Sequence, residues 1–423
     1  MSVKKLVVMK FGGTSVANPE RILSSAKKVI KAKKQGLDVV VVVSAPGEMT
    51  DELVDLARNI SPEPDRREMD MLLATGEQIS IALFAIALKS QGAMSVSLTG
   101  GQAGILSTNS FTTAKIVGIK PKKILECLGH RKVVVVAGFQ GMNAEGEITT
   151  LGRGGSDLTA VALAAALGAR AAEIYTDVEG VYTADPRLVP WARRVERLSY
   201  DEMLELAGAG AQVMQSRSIE MAKRYNVPIC VKCSFNNQEG TWIMKSSSKT
   251  KSSAMEAPLI SGVALNKSLA KITIQKAPDK PGVAAIILRE LAKDAIALDM
   301  IVQSAALTDG TNHISIMVER AASQAAQAAL KRAGREIGAG RIDVDESCAK
   351  ISVIGAGLKN DSVIAAKVFD TLARRRINIQ MISASDIKIA CVIAERQGLD
   401  ALRTLHDALG LGRKKTGRVD RRI

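Results

Sequence analysis

A lysine and two glycines directly follow the first apolar run of the sequence. Residues 6–9 (Leu-Val-Val-Met) lead into Lys10-Phe11-Gly12-Gly13, and a helix-like stretch begins at Pro19. Glycines let backbone N–H groups approach a polyanion, a helix start adds the positive end of its dipole, and a lysine adds a mobile charge. The segment therefore suits phosphate binding. It is not the P-loop pattern, because the lysine precedes the glycines, and alone it is more typical of a tight turn.

Four further segments place polar side chains at predicted ends of strands or helices. Ser44 and Thr50 follow an apolar strand, where open α/β sheets bind ligands. Residues 74–78 insert a glycine and Glu77 into a helical pattern. The last two segments are a glycine-rich loop before a strong helix former, residues 151–157, and a polar stretch after a strand, residues 175–187. Each alone predicts a turn or a helix cap, whereas all five together predict a binding site.

The residue types in these segments favour phosphoryl transfer to a carboxylate. The guanidinium of Arg153 can bind a substrate carboxylate through two hydrogen bonds, and Glu77 or Asp157 suits an ammonium group. None of the three histidines of the chain lies in these segments, which argues against a histidine nucleophile or general base. A carboxylate nucleophile is already ionised at pH 7 and needs no base.

Composition limits the class of protein. A chain of 423 residues with 47% hydrophobic residues predicts two or three well-packed globular domains. No apolar run approaches the ~18 residues of a membrane helix, and the first apolar stretch is too short for a signal peptide. We therefore expect a cytoplasmic protein without a membrane partner.

The net charge of +15 raises the question of nucleic-acid binding. The positive charge is spread along the chain, with local runs at residues 27–34 and 413–422, and only 3% of residues are aromatic. Platforms for base stacking are therefore scarce, and solvated faces that attract anionic nucleotides explain the charge more simply. We expect no nucleic-acid partner.

The five cysteines fit a reducing compartment. Cys230 and Cys233 form a C-x-x-C pair within an apparent strand, without a second pair or a nearby histidine. This context does not predict a zinc or redox centre, and we expect no protein metal site.

Periodicity predicts an α/β architecture up to about residue 242. Buried strands are predicted at residues 39–43, 95–98, 133–137 and 172–175, and helices at residues 21–35, 66–89, 157–167 and 200–225. Continuous apolar strands that alternate with helices indicate a mainly parallel sheet in a three-layer αβα sandwich.

The C-terminal part contains an internal repeat. A polar, low-complexity stretch at residues 245–253 predicts a linker. Beyond it, residues 270–274 resemble residues 349–353 at an offset of about 80 residues. Each copy reads as a strand, a glycine-containing loop, a helix, a strand and then a further strand. Two copies are too few for a solenoid, so we expect a pair of small βαββ modules side by side.

These motifs together resemble one enzyme family. Five motifs resemble aspartate kinase of the amino acid kinase superfamily: Lys-Phe-Gly-Gly-Thr-Ser-Val at residues 10–16, the segment from Ser44-Ala45 to Thr50-Asp51-Glu52-Leu53, the Thr-Gly-Glu at 75–77, the loop at 152–157 and the stretch at 176–187. The C-terminal repeat resembles paired ACT regulatory domains. The resemblance implies an amino acid kinase αβα sandwich over residues 1–245, a linker at 246–262, and two ferredoxin-like βαββαβ ACT domains at 263–345 and 346–423.

The resemblance also implies an activity and its site residues. The reaction is the phosphorylation of L-aspartate by ATP to 4-phospho-L-aspartate, which opens lysine, threonine and methionine biosynthesis. The implied catalytic residues are Lys10, Arg153 and Asp157. The other implied substrate-binding residues are Ser44, Thr50, Glu77, Gly154 and Ser156. Those implied for the nucleotide are Lys10, Phe11, Gly12, Gly13, Thr176, Asp177, Tyr182, Arg187, Gln212 and Val213, and Mg²⁺ is expected to be carried by the phosphates.

Feedback regulation by threonine and/or lysine is implied by the ACT resemblance. The implied effector-binding residues are Asp279, Gly282, Ala284, Leu298, Asp299, Gln303, Asn378, Ile379, Ser385 and Asp386. The sequence departs from the family at Gln212, where many relatives carry lysine, at Ala297, and at Val363, where a Pro-Gly turn often occurs. Because of Ala297, and because Val363 loses the freedom for positive φ and adds bulk, we expect weaker or less synergistic inhibition.

Two alternatives remain at this stage. One is another amino acid kinase, for glutamate, acetylglutamate or a nucleoside monophosphate. Arg153 and the paired carboxylates favour an amino acid with a free α-amino group. The other is a catalytically silent amino-acid sensor, against which the intact Lys10 segment argues. We also expect a homo-oligomer through ACT sheet edges, and Met255 begins a segment that resembles the start of separately translated regulatory subunits.

Overall fold

The computed structural model describes residues 5–210, 213–245, 259–358 and 361–412. The chain divides into two compact units. The first contains the chain up to Val181, Arg194–Ala207 and Gln212–Thr250, and the second contains Tyr182–Arg193, Gly208–Ala211 and the chain from Lys251 onward. Gln212, Met255 and most of the expected linker lie outside the described residues.

The first unit contains twelve described strands and seven described helices. The strands are β1 (Leu6–Phe11), β2 (Asp38–Val43), β3 (Ser95–Leu98), β4 (Ile105–Ser107), β5 (Ile116–Ile119), β6 (Val133–Ala137), β7 (Gln140–Met142), β8 (Ile148–Thr150), β9 (Ala172–Thr176), β10 (Arg197–Ser199), β11 (Ile229–Cys233) and β12 (Thr241–Met244). The helices are α1 (Pro19–Lys34), α2 (Met49–Ile60), α3 (Arg66–Ser90), α4 (Lys122–Gly129), α5 (Gly155–Ala166), α6 (Tyr200–Gly208) and α7 (Ser216–Tyr225).

Eight of these strands form the main sheet, in the order β10-β12-β11-β9-β1-β2-β6-β3. The central pairs from β11 to β3 are parallel, and β12 runs antiparallel to β11. The five valines of β2 are all fully buried, as expected for a central parallel strand that is covered on both faces. This sheet confirms the predicted α/β sandwich and brings the ends of β9, β1, β2 and β6 next to one another.

Helices cover both faces of the main sheet. Alternate residues of β1 and β2 pack with α1 and α3 in one apolar cluster that includes Phe11 and Phe84. The helix α5 packs against β1 and β2 but does not contribute to that cluster, so it covers the opposite face. Ten consecutive residues of α5, Gly155 to Ala164, are buried, which agrees with its apolar sequence.

The helix α3 is the one described helix that is long and apolar enough to cross a membrane by length and composition. The sequence analysis found no apolar run of this length, because the 25 residues of α3 include charged residues such as Asp70 and Glu77. Slightly more than half of its most apolar window is buried inside the protein, and its buried residues include Asp70 and Glu77. A core helix of this kind passes the same composition test, so the result is weak evidence of a membrane span.

One prediction for the first unit is wrong, and one sheet of this unit was not predicted. Residues 200–225 are not one helix, because α6 ends at Gly208 and Gly210 adopts a φ of +109°, which continues no helix. A second, four-stranded sheet of order β5-β4-β7-β8 was not predicted. Its strands have three or four residues each, too few to show a period.

The second unit contains two four-stranded antiparallel sheets. Its strands are β13 (Leu259–Asn266), β14 (Leu269–Pro278), β15 (Met300–Gln303), β16 (Thr311–Glu319), β17 (Ile342–Asp345), β18 (Cys348–Ala356), β19 (Ile379–Ala384) and β20 (Lys388–Ala394). Its helices are α8 (Val283–Lys293), α9 (Ser323–Ile337), α10 (Ser362–Arg374) and α11 (Gly398–Ala408). The first sheet has the order β15-β16-β14-β17 and, with α8 and α9, forms a βαββαβ module.

The second module takes its fourth strand from earlier in the chain. Its sheet order is β13-β18-β20-β19, so β13 pairs with β18 although β13 precedes the whole first module. The expected boundary at residue 263 therefore needs correction, since residues 263–266 belong to the second sheet. A local repeat could not reveal this pairing, because the strand partner lies across the first module.

The first unit is not formed by one continuous stretch of chain. Residues Tyr182–Arg193 belong to the second unit, where the N–H of Val263 donates to the carbonyl of Thr183 at 2.8 Å. The Thr183 hydroxyl lies 3.0 Å from the ring nitrogen Nε2 of His406 in α11. Trp191 donates its indole N–H to Asp407 at 2.6 Å. This segment is therefore part of the second module's packing.

Candidate active site

Lys10 and Asp157 form an ion pair at the end of β1. The Lys10 Nζ lies 2.7 Å from the Asp157 Oδ1, and each side chain is only about one-tenth exposed. Asp157 lies in the first turn of α5, where the helix dipole stabilises a negative charge. The pair places an ammonium group at the carboxyl edge of the parallel strands, where open α/β sheets bind ligands.

The two glycines after β1 meet different neighbours. A Cβ on Gly13 would lie 2.8 Å from the carbonyl oxygen of Gly47 and 2.9 Å from that of Ala45, so only glycine fits. The Gly47 N–H donates to the Gly13 carbonyl at 3.1 Å. The Gly12 N–H donates to the Tyr175 carbonyl at 3.2 Å, so it is already bonded to β9. The loop after β1 is thus held against the loop after β2.

The side chain of Phe11 belongs to the core and not to the site. Its ring is fully buried and stacks on Tyr175 with 4.8 Å between the ring centroids. Only its backbone reaches the loop, where the carbonyl accepts from the Ser44 N–H at 3.1 Å. Its predicted contact with the nucleotide is therefore limited to backbone atoms.

The Glu77 carboxyl group lies against the loop after β2 without a hydrogen-bond partner for its second oxygen among the described residues. Its Oε1 accepts from the Ala45 N–H at 2.9 Å, and its side chain is buried. Its Oε2 has no hydrogen-bond partner among the described residues. Burial raises the pKa of Glu77 from 4.5 to about 7. A Cβ on Gly76 would lie 2.7 Å from the Ala45 Cβ, so this glycine permits the close approach of α3.

The Arg153 loop, residues 151–155, joins β8 to α5. Gly152 and Gly154 have φ angles of +75° and +74°, in the left-handed region. A Cβ on Gly154 would overlap the Gln215 side chain, at 2.0 Å from its Cγ. Arg153 is exposed, and among the described residues no hydrogen bond or ion pair involves its guanidinium. The loop backbone therefore fixes the position of the Arg153 Cα, and the side chain extends from it as an exposed cation.

The remaining substrate-side predictions lie at the same edge of the sheet. Ser44 directly follows β2, and Thr50 is in the first turn of α2, both half-buried. Ser156 lies in the first turn of α5 and is buried, and a Cβ on Gly138 after β6 would lie 2.7 Å from its Oγ. These hydroxyls and the Lys10–Asp157 pair share one end of the sheet, as the sequence predicts.

The predicted nucleotide residues are divided between the two units. Thr176 ends β9, beside β1, and its hydroxyl donates to Asp177 at 3.0 Å. Val213 also lies in the first unit, in a turn before α7. Tyr182 and Arg187 lie in the second unit. The Arg187 Nη2 lies 2.7 Å from the Asp185 Oδ2, and these hydrogen bonds hold the pKa of Asp185 below its usual value.

The first ACT-like module contains a polar cluster at its predicted effector residues. The Asp279 Oδ1 accepts from the Asn312 Nδ2 at 3.0 Å and from the Gln303 Nε2 at 3.5 Å. Asn312 is buried, and its Oδ1 has no partner among the described residues. The sequence analysis missed Asn312, because the residue lies in β16 opposite Ala277 and only the strand register brings it to Asp279.

Other predicted effector residues have separate surroundings. Gly282 precedes α8 with a φ of +96°, and Ala284 lies in the first turn of that helix. Leu298 is exposed, and Asp299 forms an ion pair with the buried Lys350 of β18. The two carboxylates Asp279 and Asp299 therefore differ, since Asp299 is neutralised by a lysine of the other module.

The second module corrects the expectation for Val363. Asp361 caps α10 by accepting from the Ile364 N–H at 3.0 Å, and its φ is −114°, in extended backbone. Val363 lies in the helix and is 74% exposed. Positive φ is therefore not required there. Asn378 and Ile379 lie at the start of β19, and Ser385 and Asp386 lie in the turn to β20.

The cysteines show no sign of metal chemistry. All five are free and buried, and burial raises the pKa of Cys230 to about 12. Within the described ranges, no three side chains of His, Cys, Asp or Glu form a group that could hold a metal ion. Burial therefore keeps the Cys230 thiol of β11 protonated.

A cavity of about 560 Å³ lies away from Lys10, Arg153 and Asp157. It lies on the face covered by α1, and its lining includes Lys28, Glu173 and Lys232. The Lys232 Nζ lies 3.0 Å from the Glu173 Oε1, and burial lowers the pKa of Lys28. Because Lys10, Arg153 and Asp157 do not line this cavity, the chemistry points to the open edge of the sheet instead.

Comparisons with known proteins identify the family. The family model described as Amino acid kinase family matches residues 5–233, and an ACT domain model matches residues 351–409. The chain is 48% identical over 406 residues to the aspartate kinase of Pseudomonas putida, covering 96% of this chain and 98% of the relative. The chain belongs to the aspartate kinases of the amino acid kinase family. The Mycolicibacterium smegmatis aspartokinase, 46% identical over 409 residues with 96% of each chain covered, agrees.

Solved aspartate kinase structures share the fold along the chain. The E. coli aspartokinase III in complex with aspartate and ADP has a TM-score of 0.81 at 25% identity, covering 96% of this chain and 100% of that one. The same enzyme in complex with lysine and aspartate has a TM-score of 0.73, covering 96% and 99%. The amino acid kinase fold with C-terminal ACT modules, expected from the sequence, is thereby confirmed.

Proposed function

We propose that the chain transfers the γ-phosphoryl group of ATP to the side-chain carboxylate of L-aspartate. A carboxylate oxygen forms a bond to the γ-phosphorus, the bond to the oxygen bridging the β- and γ-phosphates breaks, and ADP leaves with its electron pair. No base is required, because the nucleophile is ionised at pH 7. The Lys10–Asp157 pair carries this proposal, since it fixes a cation at the sheet edge.

Lys10 is proposed to neutralise charge on the phosphoryl group during transfer. Asp157 holds the ammonium group at 2.7 Å, so the cation is positioned before the nucleotide binds. The Gly12 N–H is already bonded to Tyr175, which leaves Gly13 as the proposed backbone donor to the phosphate oxygens. Thr176 and Asp177 extend the proposed nucleotide site along β9.

Aspartate is proposed to bind between the Arg153 loop and Glu77. The Arg153 guanidinium suits the α-carboxylate, and the unpartnered Glu77 Oε2 suits the α-ammonium group. Ser44 and Thr50 are proposed to orient the reacting carboxylate, with Gly154 and Ser156 at the start of α5. Asp157, also expected on the ammonium side, is engaged by Lys10.

The other four nucleotide predictions remain part of the proposal. Tyr182, Arg187, Gln212 and Val213 are proposed to bind the nucleotide. Mg²⁺ is proposed to be carried by the phosphates of the nucleotide, whose charge it would neutralise.

Regulation and assembly are proposed for the ACT modules. Threonine and/or lysine is proposed to bind at the Asp279 cluster and at the β19–β20 turn, and so to inhibit the kinase. The strands β15 and β19 are sheet edges that expose Ile301 and Ile382, which supports a homo-oligomer formed through these modules. We also propose a separately translated regulatory subunit that starts at Met255. A cytoplasmic location is proposed as well, and the free, buried cysteines are consistent with it.

A substrate panel tests the function. Purified protein with MgATP is supplied with aspartate, glutamate, acetylglutamate or a nucleoside monophosphate, and ADP release and acyl-phosphate trapping by hydroxylamine are measured. We expect turnover with aspartate and its loss in Lys10→Ala. Turnover with glutamate alone would favour the other amino acid kinases, and effector binding without any turnover would favour an amino-acid sensor.

A further inference from the structure

A second buried carboxylate lies on the same face of α3 as Glu77. Asp70 precedes Glu77 by two helical turns, so the two side chains point to the same side of the helix. Glu77 bonds to the loop after β2, whereas Asp70 is completely buried and points to the small sheet. No role in the proposed chemistry uses Asp70, yet burying a carboxylate costs free energy unless hydrogen bonds compensate.

Asp70 is compensated by two segments that are distant in sequence. Its Oδ1 accepts from the Thr150 hydroxyl at 2.5 Å, and its Oδ2 accepts from the Thr150 N–H at 2.9 Å. The Thr112 N–H is shared by both oxygens at 3.0 Å. Hydrogen bonds to a carboxylate are among the stronger ones in proteins, so both segments are firmly attached to α3.

Both segments border the Arg153 loop. Thr150 ends β8 and lies three residues before Arg153. Thr112 adopts a φ of +67°, a left-handed conformation that is rare for a β-branched residue, and Asp70 stabilises it. A Cβ on Gly152 would lie 3.3 Å from the Thr112 carbonyl oxygen, so Thr112 packs against the loop backbone.

Arg217 holds the Arg153 loop from another element. It lies in the first turn of α7, and its Nη1 donates to the Leu151 carbonyl at 2.6 Å. Its Nη2 donates to the Ala114 carbonyl at 3.3 Å. The planar guanidinium thus bridges the loop to the segment after Thr112, a geometry that a lysine cannot reproduce.

We propose that Asp70 and Arg217 are positioning residues that preorganise the Arg153 loop for the α-carboxylate of the substrate. The inference rests on the proposed function, because Arg153 is the proposed carboxylate ligand. Arg153 is exposed, and no hydrogen bond or ion pair holds its side chain among the described residues, so the loop backbone fixes only where the side chain starts. Through Asp70 and Glu77, one face of α3 aligns the two walls of the aspartate site.

The first test compares Asp70→Asn with Glu68→Gln, an exposed carboxylate in the first turn of the same helix. We expect Asp70→Asn to raise the KM for aspartate by about tenfold, the size expected for a lost hydrogen bond to a buried charge. The KM for ATP should stay within about twofold of wild type, because the residues proposed to bind ATP do not depend on the Arg153 loop. Arg217→Lys shifts the aspartate KM in the same direction, whereas the control Arg224→Lys on the same helix does not.

The hydroxyl of Thr150 supplies a milder variant if Asp70→Asn is insoluble. Thr150→Val removes the donor to Asp70 and Thr150→Ser keeps it, so only the valine variant should raise the aspartate KM. In an Arg153→Ala background, Asp70→Asn or Thr150→Val should add less than about a twofold further loss, because the loop no longer carries its ligand.

Three results would overturn the positioning role while wild type remains an aspartate kinase. These are equal effects of the Asp70 and Glu68 variants, equal losses for both substrates, and full additivity with Arg153→Ala. Absence of aspartate-dependent ADP release in wild type would instead overturn the proposed function and this inference with it. The two failures are therefore distinguishable in one assay.

Discussion

The Lys10 ammonium lies 2.7 Å from the carboxylate of Asp157, so the end of β1 is joined to the first turn of α5. The ion pair is largely shielded from solvent, which strengthens it and fixes the lysine in one direction. The same aspartate also lies at the positive end of the α5 dipole. The cation proposed to meet the phosphoryl group is therefore held in place before either substrate arrives.

Replacement of Lys10 by Met should abolish most turnover. Loss of one preorganised charge at a reacting group lowers kcat by about 100- to 1,000-fold, and the KM for aspartate should change little. Lys31→Met, an exposed lysine of α1, is the matched control. Steady-state ADP release measures both variants, and equal activity of the two would exclude Lys10 from the phosphoryl-binding role.

Aspartate binding should weaken at acidic pH because of Glu77. Its pKa of about 7 in the free protein means that the carboxylate gains a proton as the pH falls below 7. A protonated Glu77 does not attract the α-ammonium group, so the KM for aspartate should rise by about tenfold for each pH unit below 7. Initial rates from pH 5.5 to 8.5 measure this, and the slope should vanish in Glu77→Gln. An identical slope in that variant would assign the effect to another group.

The same carboxylate should make the free protein less stable as the pH rises. The unfolded Glu77 ionises near 4.5 and the folded one near 7, so the folded state binds the extra proton between these values. Stability therefore falls as the pH rises from 4.5 to 7, by an amount on the order of 3 kcal/mol. Urea unfolding of wild type and Glu77→Gln at pH 5 and pH 8 measures the difference. Wild type should lose more stability than the variant over this interval.

Gly13 should tolerate no side chain. An added Cβ would meet two backbone oxygens at 2.8 and 2.9 Å, so the loops after β1 and β2 would have to separate. A displacement of this kind at a reacting centre can lower kcat by about 100-fold, and we expect this of Gly13→Ala. Gly129→Ala at the end of α4 is the control, because no heavy atom lies within 4 Å of its added Cβ. Equal rates for the two variants would refute the close-approach argument.

Inhibition should depend on the Asp279 cluster of the first module. Asp279→Ala removes the partner of Asn312 and Gln303, so the threonine or lysine concentration for half-inhibition should rise by about tenfold with uninhibited kcat unchanged. Asp370→Ala, an exposed residue of α10, is the control. The assay adds each amino acid alone and then both together.

Threonine and lysine added together should inhibit with little synergy, as predicted from Ala297 and Val363. The helical, exposed position of Val363 removes the backbone part of that argument and leaves its added bulk. Steep synergistic inhibition by equal concentrations of threonine and lysine would show this prediction to be wrong.

The sequence alone was sufficient to predict the strands and the helix that are completely buried. The valine runs of β2 and β6 and the alanine-rich α5 follow from one-dimensional composition, because a strand or helix covered on every side needs no alternation. The short strands of the small sheet and the break after Gly208 were missed. Their identity depends on strand partners and on backbone angles, which composition does not encode.

Residues that act through distant contacts escaped the sequence analysis for a related reason. Asp70 and Thr150 are separated by 80 residues, and Arg217 and Leu151 by 66. An aspartate in a helix and an arginine after a turn are ordinary residues until the register of the sheets brings them to the Arg153 loop. Asn312 is another example, since only its pairing with Ala277 places it beside Asp279.

The chemical groups available to this protein can be read from its residues in order. They are a lysine and glycines after one strand, an arginine in a glycine-rich loop, a carboxylate within an apolar helix, and a duplicated C-terminal module. Which of these groups meet depends on folding. It paired Lys10 with Asp157, left one oxygen of Glu77 without a partner, gave β13 to the second module and placed Tyr182 and Arg187 in the second unit. Those outcomes depend on strand order and close packing, which arise only when distant segments bury their apolar faces together.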